Sequence, residues 1–144
     1  MLFRSPVAPP VVIKPAPKPV PPKPAPPPAP RPAPTTVIVV TPGGAQAIAK
    51  SLMPAYGWNT TSEFSCLVRL WNGESGWRWN ATNPSSGAYG IPQAWPANRM
   101  ATAGADWKTN ARTQIRWGMG YIKARYGTPC VALKAWLGRS PHWY

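Results

Sequence analysis

Residues 60–77 read TTSEFSCLVRLWNGESGW, and this run decides how the chain is built. Thr60 followed by Glu63 is a T-x-x-E capping box, the signature of a helix start. Phe64, Leu67, Val68 and Trp71 follow at i, i+3, i+4 and i+7, the spacing of one apolar helix face. That face continues to Glu74, where Gly73 and Gly76 loosen the helix. Glu74 is one of only three acidic residues in 144, with Glu63 and Asp106. The helix therefore ends on a rare carboxylate flanked by Trp71 and Trp77.

Working outward, Thr41-Pro42 reads as an N-cap followed by proline at the first helical position. Ala45, Ile48, Ala49 and Leu52 carry helical spacing, and Pro54 or Gly57 ends the helix. Residues 76–107 are interrupted by Gly, Pro, Asn and Ser, leaving room for a small β-hairpin and short helical turns. Asn110 to Gly127 is a third helix, with Ile115, Met119, Ile122 and Tyr126 as its buried stripe. Gly127 fits the C′ position, and Pro129 follows. Cys130 to Leu137 is a last short helix that Gly138 stops. The expected domain is mainly α, four helices with one irregular part.

The N-terminal third has another character. Sixteen of the 22 prolines, and no acidic residue, fall in residues 1–42. Proline fixes φ and removes a backbone donor, so this segment is expected to be a disordered Pro/Ala/Lys-rich spacer sampling polyproline II. Val37-Ile38-Val39-Val40 is a short β-branched strap or strand, far too short to span a membrane. The chain is expected not to be transmembrane. Residues 43–144 remain for one small domain, enough for a single core and expected to act as a monomer.

That domain has 11 Lys and Arg against 3 acids. Such a balance calls for an anionic partner or surface: nucleic acid, anionic lipid, or a wall bearing acidic polymers. No nucleic-acid-binding motif is present, so nucleic acid is not expected. Cys66 and Cys130 fit no zinc or redox spacing. They are either two buried thiols or a disulfide. A small loop-rich domain and an extracellular-looking tail favour the disulfide. The first residues hold no apolar run of signal-peptide length. Either the start is truncated, or the protein leaves by another route such as phage release.

Glu74 suggests chemistry. Glycoside cleavage needs a proton on the departing oxygen, and a carboxylic acid holds one at neutral pH only when its pKa is raised. An apolar tryptophan wall does this by disfavouring the charged form, as it does for the catalytic acid of lysozyme. The plainer reading is a surface glutamate at a helix end. Most glycosidases use two carboxylates roughly 5–9.5 Å apart. Glu63 is out of reach, since 11 residues of helix rise about 16 Å. Asp106 reads as a cap or a structural residue. His142, the lone histidine, has no partners for a triad. No metal or cofactor is expected. Trp77, Trp79, Tyr89 and Trp95 are either sugar-stacking rings or core. Ser75, Asn83 and Gln93 are polar groups that suit sugar hydroxyl or acetamido groups.

Taken together, Glu74-Ser75-Gly76-Trp77, residues 83–93 (NPSSGAYGIPQ), residues 113–122 (TQIRWGMGYI) and Trp143-Tyr144 resemble a lytic transglycosylase of the lysozyme-like superfamily. The nearest type is the small secreted domain of Gram-positive bacteria and their phages, related to resuscitation-promoting factors. The resemblance covers about residues 44–144. It implies a two-lobed lysozyme-like fold with a cleft. It implies Glu74 as the catalytic acid/base that cuts the bond between N-acetylmuramic acid and N-acetylglucosamine and closes a 1,6-anhydro ring. No second carboxylate is required. Substrate contacts are implied for Ser75, Trp77, Asn83, Tyr89, Gly90, Ile91 and Gln93. The cysteine spacing is similar to the family's, which supports a Cys66–Cys130 disulfide. The implied partner is the peptidoglycan glycan strand, and the implied place is outside the cell or on its wall. The runner-up readings are a muramidase-type hydrolase of the same fold and a non-catalytic wall-binding module. The chain departs from the family at Gly73, where a larger polar residue is usual, at Trp95 and Asn98-Arg99, and over Leu133 to His142.

Overall fold

The four segments with helical spacing are helices, and the first two begin at their expected caps. A computed structural model describes residues 40–144. The first helix, α1, is Pro42–Leu52; Thr41 Oγ1 accepts a hydrogen bond from Gly44 N. It tightens into a 3₁₀ turn at Met53–Tyr56, ended by Gly57 at φ 80°. The second helix, α2, is Thr61–Glu74. A 3₁₀ turn at Ala97–Thr102 is the one helical piece in the irregular region. The third, α3, is Ala111–Tyr126, where Asn110 Oδ1 accepts from Arg112 N and Thr113 N. Gly127 closes it at φ 83°, its N–H donating to Ile122 O and Lys123 O. The fourth, α4, is Pro129–Leu137, capped by Thr128 Oγ1.

The boundary expected between residues 42 and 43 falls inside the first turn of α1. Val40 already packs on the core. Val37 to Val39 of the expected strap, and the proline-rich spacer before them, lie outside the described residues. No helix among the described residues is long and apolar enough to cross a membrane.

The core joins Leu67, Leu70 and Trp71 of α2 to Ile115, Met119 and Ile122 of α3, all fully buried. Gly118 of α3 leaves room for the Trp71 ring of α2, because a Cβ there would lie 2.6 Å from Trp71 Cζ2. Ala45 and Ala49 of α1, with Ala132 and Leu133 of α4, complete the cluster. The expected hairpin is not a strand pair. Thr82 with Tyr89, and Tyr89 with Ala94, form isolated antiparallel bridges. Gly87, Gly90 and Gln93 all take positive φ, which breaks the pleat before a ladder can extend.

Only half of the expected capping box forms. Thr60 Oγ1 accepts from Glu63 N at 3.2 Å. The Glu63 carboxylate instead accepts from Cys130 N at 2.9 Å, at the start of α4. Unpaired N–H groups and the positive end of the helix dipole draw the carboxylate there. Less than one turn further along α2, Cys66 is disulfide-bonded to Cys130. The two links together fasten α4 along α2. Replacing both cysteines by serine is expected to lower stability by about 4 kcal/mol on loop entropy alone. The readout is a lower urea midpoint, and an unchanged midpoint would contradict it.

Candidate active site

Glu74 is the last residue of α2 and lines a cleft of about 510 Å³. Asn83, Gln93 and Trp95 from the irregular region line it too. Trp117, Tyr121 and Arg125 of α3 form a second side, and Pro141 to Tyr144 a third. Each side has a reason for its position in the sequence.

The irregular region is held from within by one side chain of α3. Gln114 is fully buried; its Oε1 accepts from Ile91 N at 3.0 Å. Its Nε2 donates to Trp79 O at 3.0 Å and Trp107 O at 2.9 Å. One amide therefore pins three otherwise unrelated loop segments. Gly90 has to be glycine, because its φ is 79° and a Cβ would lie 2.6 Å from Gln114 Oε1. Gln93 sits at φ 53°, unusual for a non-glycine residue. Its Nε2 donates to Ala81 O and Gly90 O, which holds the carboxamide at the cleft.

Of the residues expected to touch substrate, Glu74, Asn83 and Gln93 line the cleft. Ser75, Trp77, Tyr89, Gly90 and Ile91 are not among its lining residues. Ser75 Oγ donates to Ile91 O at 2.7 Å and accepts from Trp77 N at 3.1 Å. Trp77 is fully buried, edge-on to Trp71, and its Nε1 donates to Val68 O. Ile91 is also fully buried. The Tyr89 hydroxyl donates to Lys108 O, and its ring meets the edge of Trp107. These residues shape the turn that follows the acid. Asn83 lines the cleft while its Oδ1 accepts from Ser85 N and Ser86 N, fixing that loop.

Asp106 is committed elsewhere. Its two oxygens accept from Thr113 Oγ1 and Asn110 Nδ2, both at 2.7 Å. Those hydrogen bonds lower its pKa below the usual carboxylate value. Glu74 is therefore the only acidic side chain among the described residues that lines the cleft.

Burial pushes the Glu74 carboxyl up to about 7. The Trp136 indole N–H and the charge of His142 act in the opposite direction and lose. Glu74 Oε1 is buried without a hydrogen-bond partner, and so is Trp136 Nε1. The indole is thus near enough to favour the carboxylate electrostatically, short of hydrogen-bond geometry. Gly73 explains how Trp136 comes so near: a Cβ on Gly73 would lie 2.5 Å from Trp136 Cη2. The missing side chain at Gly73 and the large indole of Trp136 fit one another. His142 stacks on Trp136 at 4.2 Å, and its Nδ1 lies 2.8 Å from Trp136 O. Trp136→Phe is expected to raise the Glu74 pKa further, since it removes a group that favours the carboxylate. A carboxyl NMR titration reads this directly, and an unchanged or lowered midpoint would contradict it.

Tyr144 closes the floor. Its hydroxyl accepts from Trp71 Nε1 at 2.8 Å and donates to Pro92 O at 3.1 Å. Burial, and next the Glu74 charge, push this phenol well above its ordinary value, so it stays a neutral donor. Sequence alone does not reveal Trp136, Tyr121, Arg99 and Arg125 as cleft neighbours of the acid. The one signal is Gly73, a gap beside the acid that some large side chain has to fill. Among the described residues no three His, Cys, Asp or Glu side chains converge as metal ligands. Compared with protein-family models, curated proteins and solved structures, the chain matches none.

Proposed function

We propose that the protein is a lytic transglycosylase that cuts peptidoglycan glycan strands outside the cell or on its wall. The observation that carries this reading is a single acidic side chain in the cleft with a pKa of about 7, in aromatic surroundings. The lysozyme-like two-lobed arrangement belongs to the same reading. Glu74 is substantially protonated at neutral pH and delivers its proton to the glycosidic oxygen. The bond from that oxygen to C1 of the muramyl sugar breaks, and positive charge develops on the ring. The new carboxylate then takes the proton of the C6 hydroxyl, and O6 bonds to C1 to give the 1,6-anhydro sugar. The same residue is acid first and base second, so no second carboxylate is needed.

Trp136 suits this cycle. Its unpartnered indole N–H favours the carboxylate that exists only after the first proton transfer. The position of Asp106, hydrogen-bonded to Thr113 and Asn110 away from the cleft, disfavours the hydrolase reading that would need it. The test is release of soluble muropeptides from purified cell walls by the full chain. Release supports the proposal. Binding to sacculi with no release would replace it with a wall-binding module.

A further inference from the structure

The cleft is lined by guanidinium groups as well as by the Glu74 carboxyl. Around Glu74 the electrostatic partners are Trp136 and His142. Around Tyr121 they are guanidinium groups: Arg125, Arg99 and Arg139 all act on its phenol. Arg139 is spent within the fold, since its Nη1 donates to Tyr126 OH and Trp143 O and its guanidinium lies 3.8 Å over the Trp143 ring. Arg99 and Arg125 line the cleft itself and are exposed. Arg125 Nε donates to Tyr126 OH, which fixes the plane of its guanidinium.

Of the three acidic side chains only Glu74 shares the cleft with these arginines, and neither arginine is among the groups that act on its carboxyl. Glu63 is bonded to Cys130 N, and Asp106 to Thr113 and Asn110. Arg99 also borders a second hollow of about 300 Å³ that shares Trp117 and Tyr121 with the cleft. Trp117 and Tyr121, which border both hollows, stack on one another at 5.4 Å with only 15° between their planes. A neutral sugar needs an aromatic wall and a few polar groups. It does not need two uncompensated guanidinium groups. A planar fork of donors matches a carboxylate.

We propose that Arg99 and Arg125 form a subsite for the carboxylates of the peptide branch on the glycan strand, which is seated against Trp117 and Tyr121. This rests on the reading of the substrate as peptidoglycan. The subsite makes the protein selective for peptide-bearing strands over denuded ones, and binding there is weakened by salt.

The test uses the full chain carrying Glu74→Gln, so that binding is read without turnover. Calorimetry compares a muramyl-containing oligosaccharide bearing free-carboxylate peptides with the same oligosaccharide after amidation of those carboxylates. The expected result is about ten-fold or more weaker binding of the amidated form, the loss of one charge-assisted contact. Adding Arg99→Ala and Arg125→Ala removes the difference. Arg112→Ala, an exposed arginine that does not line the cleft, keeps it. Equal affinity for both ligands, no binding of either, or discrimination that survives the double variant would overturn the subsite. Wild-type turnover of the same oligosaccharide is followed in parallel. Charge-selective binding with no cleavage would sink the transglycosylase reading and leave the subsite standing.

Discussion

Glu74→Gln is expected to abolish muropeptide release, with a fall of about 10²–10⁴-fold, the usual contribution of a positioned acid/base. The amide keeps the size and hydrogen-bonding shape of the protonated acid but has no proton to give. Thermodynamics offers an independent check on the same variant. The folded-state pKa of about 7 lies above the ordinary 4.5. Between these values the folded protein holds a proton that the unfolded chain has lost. Stability therefore falls as pH rises from about 4.5 to about 7, and the deficit is complete above 7. Gln carries no such deficit. Glu74→Gln should be more stable than the parent at about pH 8 and no more stable at about pH 4, read by urea midpoints. Equal stability at the higher pH would mean that Glu74 is not held in a desolvated site. A dead enzyme that is the more stable protein marks a residue kept for chemistry at the expense of the fold.

Gln114→Leu is expected to cost roughly 3–9 kcal/mol, because three backbone groups, one buried and two half-buried, lose their side-chain partner at about 1–3 kcal/mol each. Those groups are Ile91 N, Trp79 O and Trp107 O. Against a total stability of roughly 5–15 kcal/mol for a small domain, this is enough to loosen the whole irregular region. Gln114→Glu separates the contributions. Its carboxylate still accepts from Ile91 N, but it has no N–H for the two carbonyls. Chemical denaturation measures both variants. A loss under about 1 kcal/mol for the leucine variant would contradict the scaffold role.

The helices are legible in the sequence because their information is local. Apolar residues at helical spacing, Thr41 and Thr60 as caps, and Gly127 before Pro129 place all four. Glu74 is legible as a rare acid at the end of an apolar face. What surrounds it is not, since Trp136 and His142 come 62 and 68 residues later in the chain and no periodicity links them to Gly73. The burial of residues near the acid is hidden for a related reason. Ser75 and Trp77 directly follow Glu74 where the chain turns at Gly76 and Trp77, both at φ 61°, and these two and Ile91 are all buried. Glu63 shows the same limit on a smaller scale: its sequence context predicts a local cap, and tertiary packing gives it the start of α4 instead.

A single carboxylate that cuts the strand without a water molecule leaves its mark on the mass of the soluble products. Mass spectrometry of the material released from purified peptidoglycan reads that mark. The expected products are anhydro-muropeptides, each one water lighter than its hydrolytic counterpart. Products at the full hydrolytic mass, ending in a free reducing muramyl sugar, would contradict the single-carboxylate mechanism.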